Sequence, residues 1–204
     1  MERNRPQVGR REKAKQEKRE RILAAARELL AEHGVNGVTT QQIADRAGVA
    51  IGTLYLYAAT KAELLIMVQN EKFASAVDDG LAAATGAAGQ GSLEQALLLV
   101  RPVVTCIREH VENGRTYLHE LVFGDPAEPY RREGLALSAR LEAGIGRVLV
   151  RGGRIDASDA AALARVITAI IHISATTSVY LHRSDAEVLA DIREQILWGA
   201  KTES

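Results

Sequence analysis

Hydroxyl, amide and phenol side chains cluster in a short segment of this 204-residue sequence, from Thr39 to Tyr57. Such groups form hydrogen bonds with phosphate oxygens and with the edges of nucleic-acid bases. The Thr39–Gln42 pair is a capping-box pattern that predicts a short helix, and Gly48 predicts a turn before a second helix. This spacing is typical of a helix-turn-helix, whose first helix supports a second helix against DNA.

Apolar positions divide this segment into a buried and an exposed side. The residues expected to fix the angle between the two helices are Ile43, Ala44, Ala47, Val49 and Leu54. The residues expected to be more exposed are Thr40, Gln41, Ala50, Ile51, Thr53, Tyr55 and Tyr57. Short helical hairpins are common, so an ordinary pair of packed helices is an equal alternative on this pattern alone.

The charge of the chain is unevenly distributed, although its formal net charge is zero. Residues 1–61 contain 12 Lys and Arg against 7 Asp and Glu, whereas residues 62–204 contain 14 against 19. Residues 1–21 alone contain nine basic and four acidic side chains. This asymmetry favours an anionic partner for the N-terminal part, and a solvated basic tail would give the same count.

Helix start and stop signals recur along the whole chain, and no useful length alternates with period two. Helices are predicted over about 16–33, 39–47, 51–57, 60–81, 92–113, 116–123, 130–150, 158–181 and 184–198. The predicted fold class is therefore all-α with about nine helices. The expected organisation is a basic, disordered arm (1–17), a three-helix helix-turn-helix domain (18–78) and a second helical domain (79–204).

Several short motifs follow one another between Gly37 and Leu65. They are Thr39-Thr40, Ile43-Ala44, Ala47-Gly48-Val49, Gly52-Thr53-Leu54-Tyr55 and Lys61-Ala62-Glu63-Leu64-Leu65. Together with the first helix they resemble the signature of the TetR family of bacterial transcriptional regulators, over about residues 18–78. The chain departs from the family pattern at Ala50, where Ser or Thr is usual, and at Ala58, where Phe is usual. Ala50 removes a side-chain cap from the second helix.

The resemblance implies roles for individual residues in binding double-stranded operator DNA. The positions that match phosphate contacts are Thr39, Thr40, Tyr55, Tyr57 and Lys61. The positions left for base readout are Gln41, Ala50, Ile51 and Thr53, and the Ile51 side chain suits a thymine methyl group. A further possibility for the arm is that its arginines enter a minor groove, and a solvated tail is the favoured alternative. These arginines are Arg3, Arg5, Arg10 and Arg11.

The resemblance also implies a C-terminal domain that binds a small-molecule effector and forms a homodimer. The apolar stripes expected at the dimer interface consist of Leu163, Ile167, Ile170, Ile171, Ser174, Val188, Ile192 and Ile196, with the chain's own core as the alternative. The candidate effector-contacting residues are Cys106, His110, Tyr117, His119, Glu120, Phe123, His172 and Thr176. Their apolar surroundings favour a lipophilic small molecule.

Other functional classes find little support in the sequence. The five histidines form no nucleophile–base or metal-ligand spacing, so neither an enzyme nor a metal or cofactor site is expected. Cys106 lies in an apolar helix, where a thiol is usually inert. The longest uncharged stretch in the C-terminal half, residues 166–182, has 17 residues and is short for a membrane span, so a cytoplasmic protein is expected.

The resemblance implies a repressor that binds a palindromic operator as a homodimer and that a small-molecule effector releases. A DNA-binding regulator with no small-molecule ligand is the alternative. A structural protein that binds DNA regardless of sequence would need more basic charge than this chain carries.

Overall fold

The computed structural model describes residues 5–153 and 155–201, in which every regular element is helical. The helices are α1 (Arg5–His33), α2 (Thr40–Ala47), α3 (Ile51–Leu54), α4 (Lys61–Gly86), α5 (Ser92–Arg108), α6 (Val111–Phe123), α7 (Pro129–Arg151), α8 (Ala157–Thr176) and α9 (Asp185–Lys201). A 3-10 turn, Ser178–Tyr180, lies between α8 and α9. The predicted all-α fold with about nine helices is confirmed for this part of the chain.

Helix α1 begins at Arg5, where the sequence predicted a disordered arm over residues 1–17. Residues 10–21 are all Arg, Lys, Glu, Gln or Ala, which are strong helix formers. Contacts between side chains four residues apart further stabilise this part of the helix. The Lys13 ammonium nitrogen lies 4.0 Å from a Glu17 carboxylate oxygen, and the Gln16 amide donates a hydrogen bond to the Glu20 carboxylate at 2.9 Å. Arg3 falls outside the described residues.

The chain divides into two compact units at Val68–Gln69, within α4, whereas the expected domain boundary was residue 78. In the N-terminal unit, α1 packs against α2, and α2 packs against α3. Gly34 ends α1 with a left-handed backbone, φ 69°, as its position after the predicted helix indicated. The fully buried side chains of this unit include Ile22, Leu30, Ile43, Leu54 and Leu64.

In the C-terminal unit, α5 packs against α6, α7, α8 and α9, and α7 also packs along α8. The buried core includes Leu99, Val103, Leu141, Ile145, Ile167, Val188 and Ile192. Gly114 allows α6 to approach α5 closely, because a Cβ atom there would lie 1.9 Å from the carbonyl oxygen of Ile107. The sequence had placed this glycine at the end of α5, which instead ends at Arg108.

Helix α8 ends at Thr176 rather than at the predicted Leu181. The Thr176 hydroxyl donates to the carbonyl of His172 at 2.6 Å, and the Thr177 hydroxyl donates to that of Ile173 at 2.7 Å. The helix ends because the backbone of Thr177 is extended, with φ −68° and ψ 140°.

Helix α8 is also the one described helix long and apolar enough to cross a membrane, with a mean hydropathy of 1.3. Core helices of soluble proteins pass the same test, so this finding is weak evidence for a span.

Candidate nucleic-acid interface

Helix α2 begins with the capping box that the sequence predicted. The backbone N–H of Gln42 donates to the Thr39 hydroxyl oxygen at 3.2 Å, and the backbone N–H of Thr39 donates to the Gln42 side chain at 2.8 Å. The Thr39 hydroxyl also donates to Gln42, at 2.9 Å. In this structure Thr39, which was expected to contact phosphate, caps the helix with its hydroxyl group.

The turn between α2 and α3 is built on Gly48, whose φ of 63° lies in the left-handed region. The N–H of Gly48 donates to the backbone carbonyl of Asp45 at 3.1 Å, and the N–H of Val49 donates to the backbone carbonyl of Ala44 at 3.0 Å. These two hydrogen bonds close the end of α2. Leu54 from α3 and Ile43 from α2 are fully buried beside this turn. The turn therefore holds α3 at a fixed angle to α2, as a helix-turn-helix requires.

Three predicted phosphate-binding residues meet at the start of α2. The hydroxyl groups of Thr40 and Tyr55 lie 3.2 Å apart and share a hydrogen bond. The ammonium group of Lys61 donates to the carbonyl of Val38 at 3.1 Å, just before α2 begins. We call Thr40, Tyr55 and Lys61 the anchor cluster. It combines a positive charge and two hydroxyl groups with a helix N-terminus, which are the groups that bind phosphate.

The predicted base-contacting residues lie on and around α3. Ala50 and Gln41 are exposed, whereas Ile51 and Thr53 are half-buried. Gln41 donates its side-chain amide to Asp45 at 2.7 Å, and Ala50 begins α3 without a side-chain cap. The α3 surface thus offers few long polar side chains to bases.

Tyr57 does not join the anchor cluster in this structure. Its hydroxyl donates to the backbone carbonyl of Lys15 on α1 at 3.1 Å, across 42 residues of sequence. Tyr57 was expected to contact phosphate, and here it ties the N-terminal half of α1 to the residues that follow α3.

Leu56 is a residue that the sequence analysis missed. It is 84% exposed, the highest value among the large apolar residues whose exposure the structure describes. Its neighbour Tyr55 is 47% exposed, so the two side chains extend this surface beyond α3. The sequence could have indicated this exposure, because Leu56 is a large apolar residue that is not among those expected to pack the turn.

Residues 22–68 match the family model described as bacterial regulatory proteins, tetR family. Over this segment the chain is similar to the TetR family of bacterial regulatory proteins. A curated relative, the HTH-type transcriptional repressor KstR of Mycobacterium tuberculosis, is 40% identical over 60 residues. That match spans 29% of this chain and 27% of the repressor, about a quarter of the relative's length.

Solved structures of TetR-family regulators resemble this chain over most of its length. The fatty acid degradation regulator FadR from Bacillus halodurans has a TM-score of 0.64 at 22% identity, covering 88% of this chain and 94% of that one. FadR from Bacillus subtilis, solved in complex with stearoyl-CoA, has a TM-score of 0.59 at 19% identity, covering 86% and 96%. At these identities the likeness shows the fold.

Most residues of the predicted dimer interface are already buried within the single chain. Six of its eight residues are buried inside the chain and line its own core: Ile167, Ile171, Ser174, Val188, Ile192 and Ile196. Leu163 and Ile170 are half-buried. The periodicity correctly marked apolar stripes on α8 and α9, but these stripes face helices of the same chain. The exposed large apolar residues of α8 are Val166 and Ile173, at 53% and 58%.

The candidate effector-contacting residues do not share one environment. Tyr117 is buried and donates to Asn70 at 2.9 Å, and Glu120 pairs with Arg131. His119 and Phe123 stack on the surface with ring centres 4.9 Å apart. His110 caps α6, and the Thr176 hydroxyl bonds to the backbone of the half-buried His172. These side chains thus have different hydrogen-bond and stacking partners in the structure.

Cys106 is half-buried on α5 and forms no disulfide. Burial raises the pKa of its thiol to about 11, and nearby Lys72 only partly offsets this effect. A thiol with a raised pKa is a poor nucleophile at neutral pH. Among the described residues, no group of three His, Cys, Asp or Glu side chains is placed to hold a metal ion.

Proposed function

We propose that this chain is a transcriptional regulator that binds specific double-stranded DNA through α2 and α3. The observation that carries this proposal is the anchor cluster of Thr40, Tyr55 and Lys61 at the start of α2. The buried turn at Gly48 holds α3 beside it. The family model supports the same assignment for residues 22–68.

In the proposed complex, the anchor cluster binds the phosphate backbone. The Lys61 ammonium group retains two protons after donating to Val38, and these are available for phosphate oxygens. The hydroxyl groups of Thr40 and Tyr55 can each turn to donate to a phosphate. Such contacts fix the orientation of the protein on DNA without reading its sequence.

Base readout is proposed for the exposed surface formed by Gln41, Ala50, Ile51, Thr53 and Leu56. Ile51 and Leu56 suit the methyl groups of thymines, and Thr53 can bond to a base or a phosphate. Because this surface lacks Arg and Asn, direct readout is modest, and sequence-dependent DNA shape contributes the rest.

A homodimer is proposed on the basis of α8. Its apolar window is only 33% buried within the chain, so much of the helix lacks a covering partner. Ala162, Val166, Ala169 and Ile173 are exposed at a spacing of four, three and four residues, which places them on one face. A second copy packed on this face would pair two DNA-binding units with a palindromic operator.

A lipophilic small molecule that releases the repressor from DNA is proposed as the effector. The support is the apolar C-terminal unit and the similarity of fold to a regulator solved with stearoyl-CoA. An effector that prefers the non-binding state lowers operator affinity, and the operator lowers effector affinity by the same factor. The alternative is a DNA-binding regulator without a small-molecule ligand.

The deciding experiment is selection of binding sites from random duplex DNA by the purified chain, with its mass in solution measured in parallel. We expect a palindromic consensus bound by a dimer. A folded protein that enriches no sequence would overturn the proposed sequence-specific binding, and a monomer on a non-palindromic site would overturn the proposed dimer.

The effector proposal is tested on the selected operator. Stearoyl-CoA is the first probe, with free coenzyme A as the control that lacks the acyl chain. Release of the operator by stearoyl-CoA alone supports a lipophilic effector. Unchanged operator affinity with saturating stearoyl-CoA, and then with a panel of fatty acids and sterols, supports the ligand-free alternative.

A further inference from the structure

The positive charge of the N-terminal unit lies on the first half of α1 and not on the helix-turn-helix. Residues 10–21 contain seven Lys and Arg and three Glu. Residues 22–68, which match the family model, contain three Lys and Arg and four Asp and Glu. Three cationic side chains limit the number of phosphates that this segment can neutralise, and with it the counterion release that contributes to protein–DNA affinity.

One face of this half of α1 is basic and continues the face that packs in the core. Arg11, Lys15 and Lys18 precede Ile22 at a spacing of four, three and four residues, so all four side chains lie on one side of the helix. Ile22 is fully buried in the N-terminal unit, whereas Arg11, Lys15 and Lys18 are exposed. We call these three residues the basic stripe.

The hydrogen bond from Tyr57 shows where the basic stripe lies. Tyr57 follows α3 closely, and its hydroxyl donates to the carbonyl of Lys15, in the middle of the stripe. The stripe is therefore next to the proposed DNA-binding residues and on the same side of α1 as α2 and α3.

Outside the basic stripe, two acidic side chains of this half of α1 have partners of their own. Lys13 lies 4.0 Å from Glu17, and Gln16 bonds to Glu20. Within the part of the chain that the structure describes, no carboxylate pairs with Arg11, Lys15 or Lys18. Three exposed cations without counter-charges on one face are what a polyanion binds.

We propose that the basic stripe is a second phosphate-binding surface, which holds the DNA backbone beside the segment contacted by α2 and α3. This inference rests on the proposed function. The stripe adds phosphate contacts to the one that Lys61 provides, and it does so from a helix rather than from an arm in the minor groove. Because it contacts phosphates only, it raises affinity for every duplex and leaves sequence preference unchanged.

The test compares two variants that each lose two positive charges from α1. Lys15→Gln/Lys18→Gln removes charge from the stripe, and Arg10→Gln/Lys13→Gln removes it from elsewhere on the helix. Glutamine preserves helix propensity, and circular dichroism checks that both variants retain the wild-type helix content. Binding to a fluorescent random-sequence 30-base-pair duplex is measured between about 50 and 300 mM KCl, which spans the range in which such contacts weaken.

We expect the slope of log affinity against log salt to become shallower by about 1.8 per bound subunit in the stripe variant, at about 0.9 for each lost phosphate contact. The control variant should keep a slope near that of the wild type. Equal slopes in the two variants, whether changed or unchanged, would overturn the inference while leaving DNA binding intact. A wild-type chain that binds no duplex would instead overturn the proposed function.

Site selection with the stripe variant gives a second, independent result. We expect the same consensus as for the wild type, recovered at lower salt. A different consensus would mean that Lys15 or Lys18 contacts bases, and it would contradict the role in backbone binding.

Discussion

The contacts that cap α2 in the N-terminal unit and the buried polar contacts of the C-terminal unit differ in sequence range. In the N-terminal unit, the ends of α2 are set by residues within four positions, through the Thr39–Gln42 capping box and the Gly48 turn. In the C-terminal unit, buried polar side chains join distant segments. Arg108 reaches Asp185 across 77 residues, and Tyr117 reaches Asn70 across 47.

This difference explains how the two units relate to function. A helix-turn-helix must present one geometry to DNA, and local capping fixes that geometry with little dependence on the rest of the chain. The C-terminal unit depends on a few long-range contacts, so a change at one of them affects the packing of several helices. Substitutions in each unit test this difference between local and long-range contacts.

Replacing Arg108 with Met should cost the C-terminal unit about 2 kcal/mol of unfolding free energy, within the range for hydrogen bonds to charged groups, since Asp185 is 41% exposed. The buried guanidinium donates to Asp185 at 2.8 Å and to the carbonyl of Arg183 at 2.6 Å. Methionine fills the space but leaves these acceptors without their donor. Urea unfolding followed by circular dichroism measures the loss.

Arg193→Met is the matched control, because Arg193 pairs with Glu94 while both side chains are about half exposed. We expect that substitution to cost less than about 1 kcal/mol, as is usual for surface pairs. If both variants lose the same free energy of unfolding, the long-range buried contacts do not contribute more to the stability of the C-terminal unit than surface pairs do.

Replacing Gly48 with Ala should destabilise the N-terminal unit by about 1–2 kcal/mol, the cost of a left-handed backbone for a residue with a Cβ atom. The nearest atom to that Cβ is an Arg21 side-chain nitrogen at 3.6 Å, so the backbone conformation and not a clash causes the loss. Thermal unfolding of the variant measures it.

Gly52→Ala makes the same chemical change within α3, where no atom lies within 4 Å of the added Cβ. Alanine favours helix over glycine, so we expect no loss of stability or a gain of up to about 1 kcal/mol. If both variants lose stability equally, the turn at Gly48 has no special role in fixing α3.

The distance along the sequence between contacting residues also decides which structural features the sequence could predict. The Thr39 cap, the Gly48 turn and the Gly34 stop were all predicted, because each depends on residues a few positions apart. The helix over residues 5–17 was missed, although its helix-forming composition was visible, because its charge suggested a solvated tail.

Contacts between distant residues were beyond the reach of the sequence. Ile192 and Ile196 form a stripe that periodicity detects, but periodicity does not reveal that the chain's own helices cover it. The hydrogen bond from Tyr57 to Lys15 has no sequence signal either, since a backbone carbonyl is present at every residue. Side-chain type therefore predicted which residues are candidates for function, but not all of their partners.

Replacing Lys61 with Ala tests whether the N-terminal unit uses its anchor cluster on DNA. We expect weaker binding to all duplexes by a similar factor, with the salt slope reduced by about 0.9 per bound subunit. Ile51→Ala should instead reduce discrimination between the selected operator and random DNA. The two roles are refuted if Lys61→Ala loses only specific binding, or if Ile51→Ala weakens all sequences equally.

The smallest expected effect is a dependence of C-terminal stability on pH through His172. Burial lowers the pKa of its imidazole below the ordinary value of 6.5, so the folded form binds its proton less tightly than the unfolded form. As the pH falls below about 6.5, the unfolded chain takes up a proton that the folded chain does not, and stability decreases. Unfolding midpoints measured from pH 8 to pH 5 should therefore fall less in His172→Gln than in the wild type. If the midpoints of the two proteins fall equally with pH, other groups cause the acid sensitivity, and burial of His172 in α8 does not reduce stability at low pH.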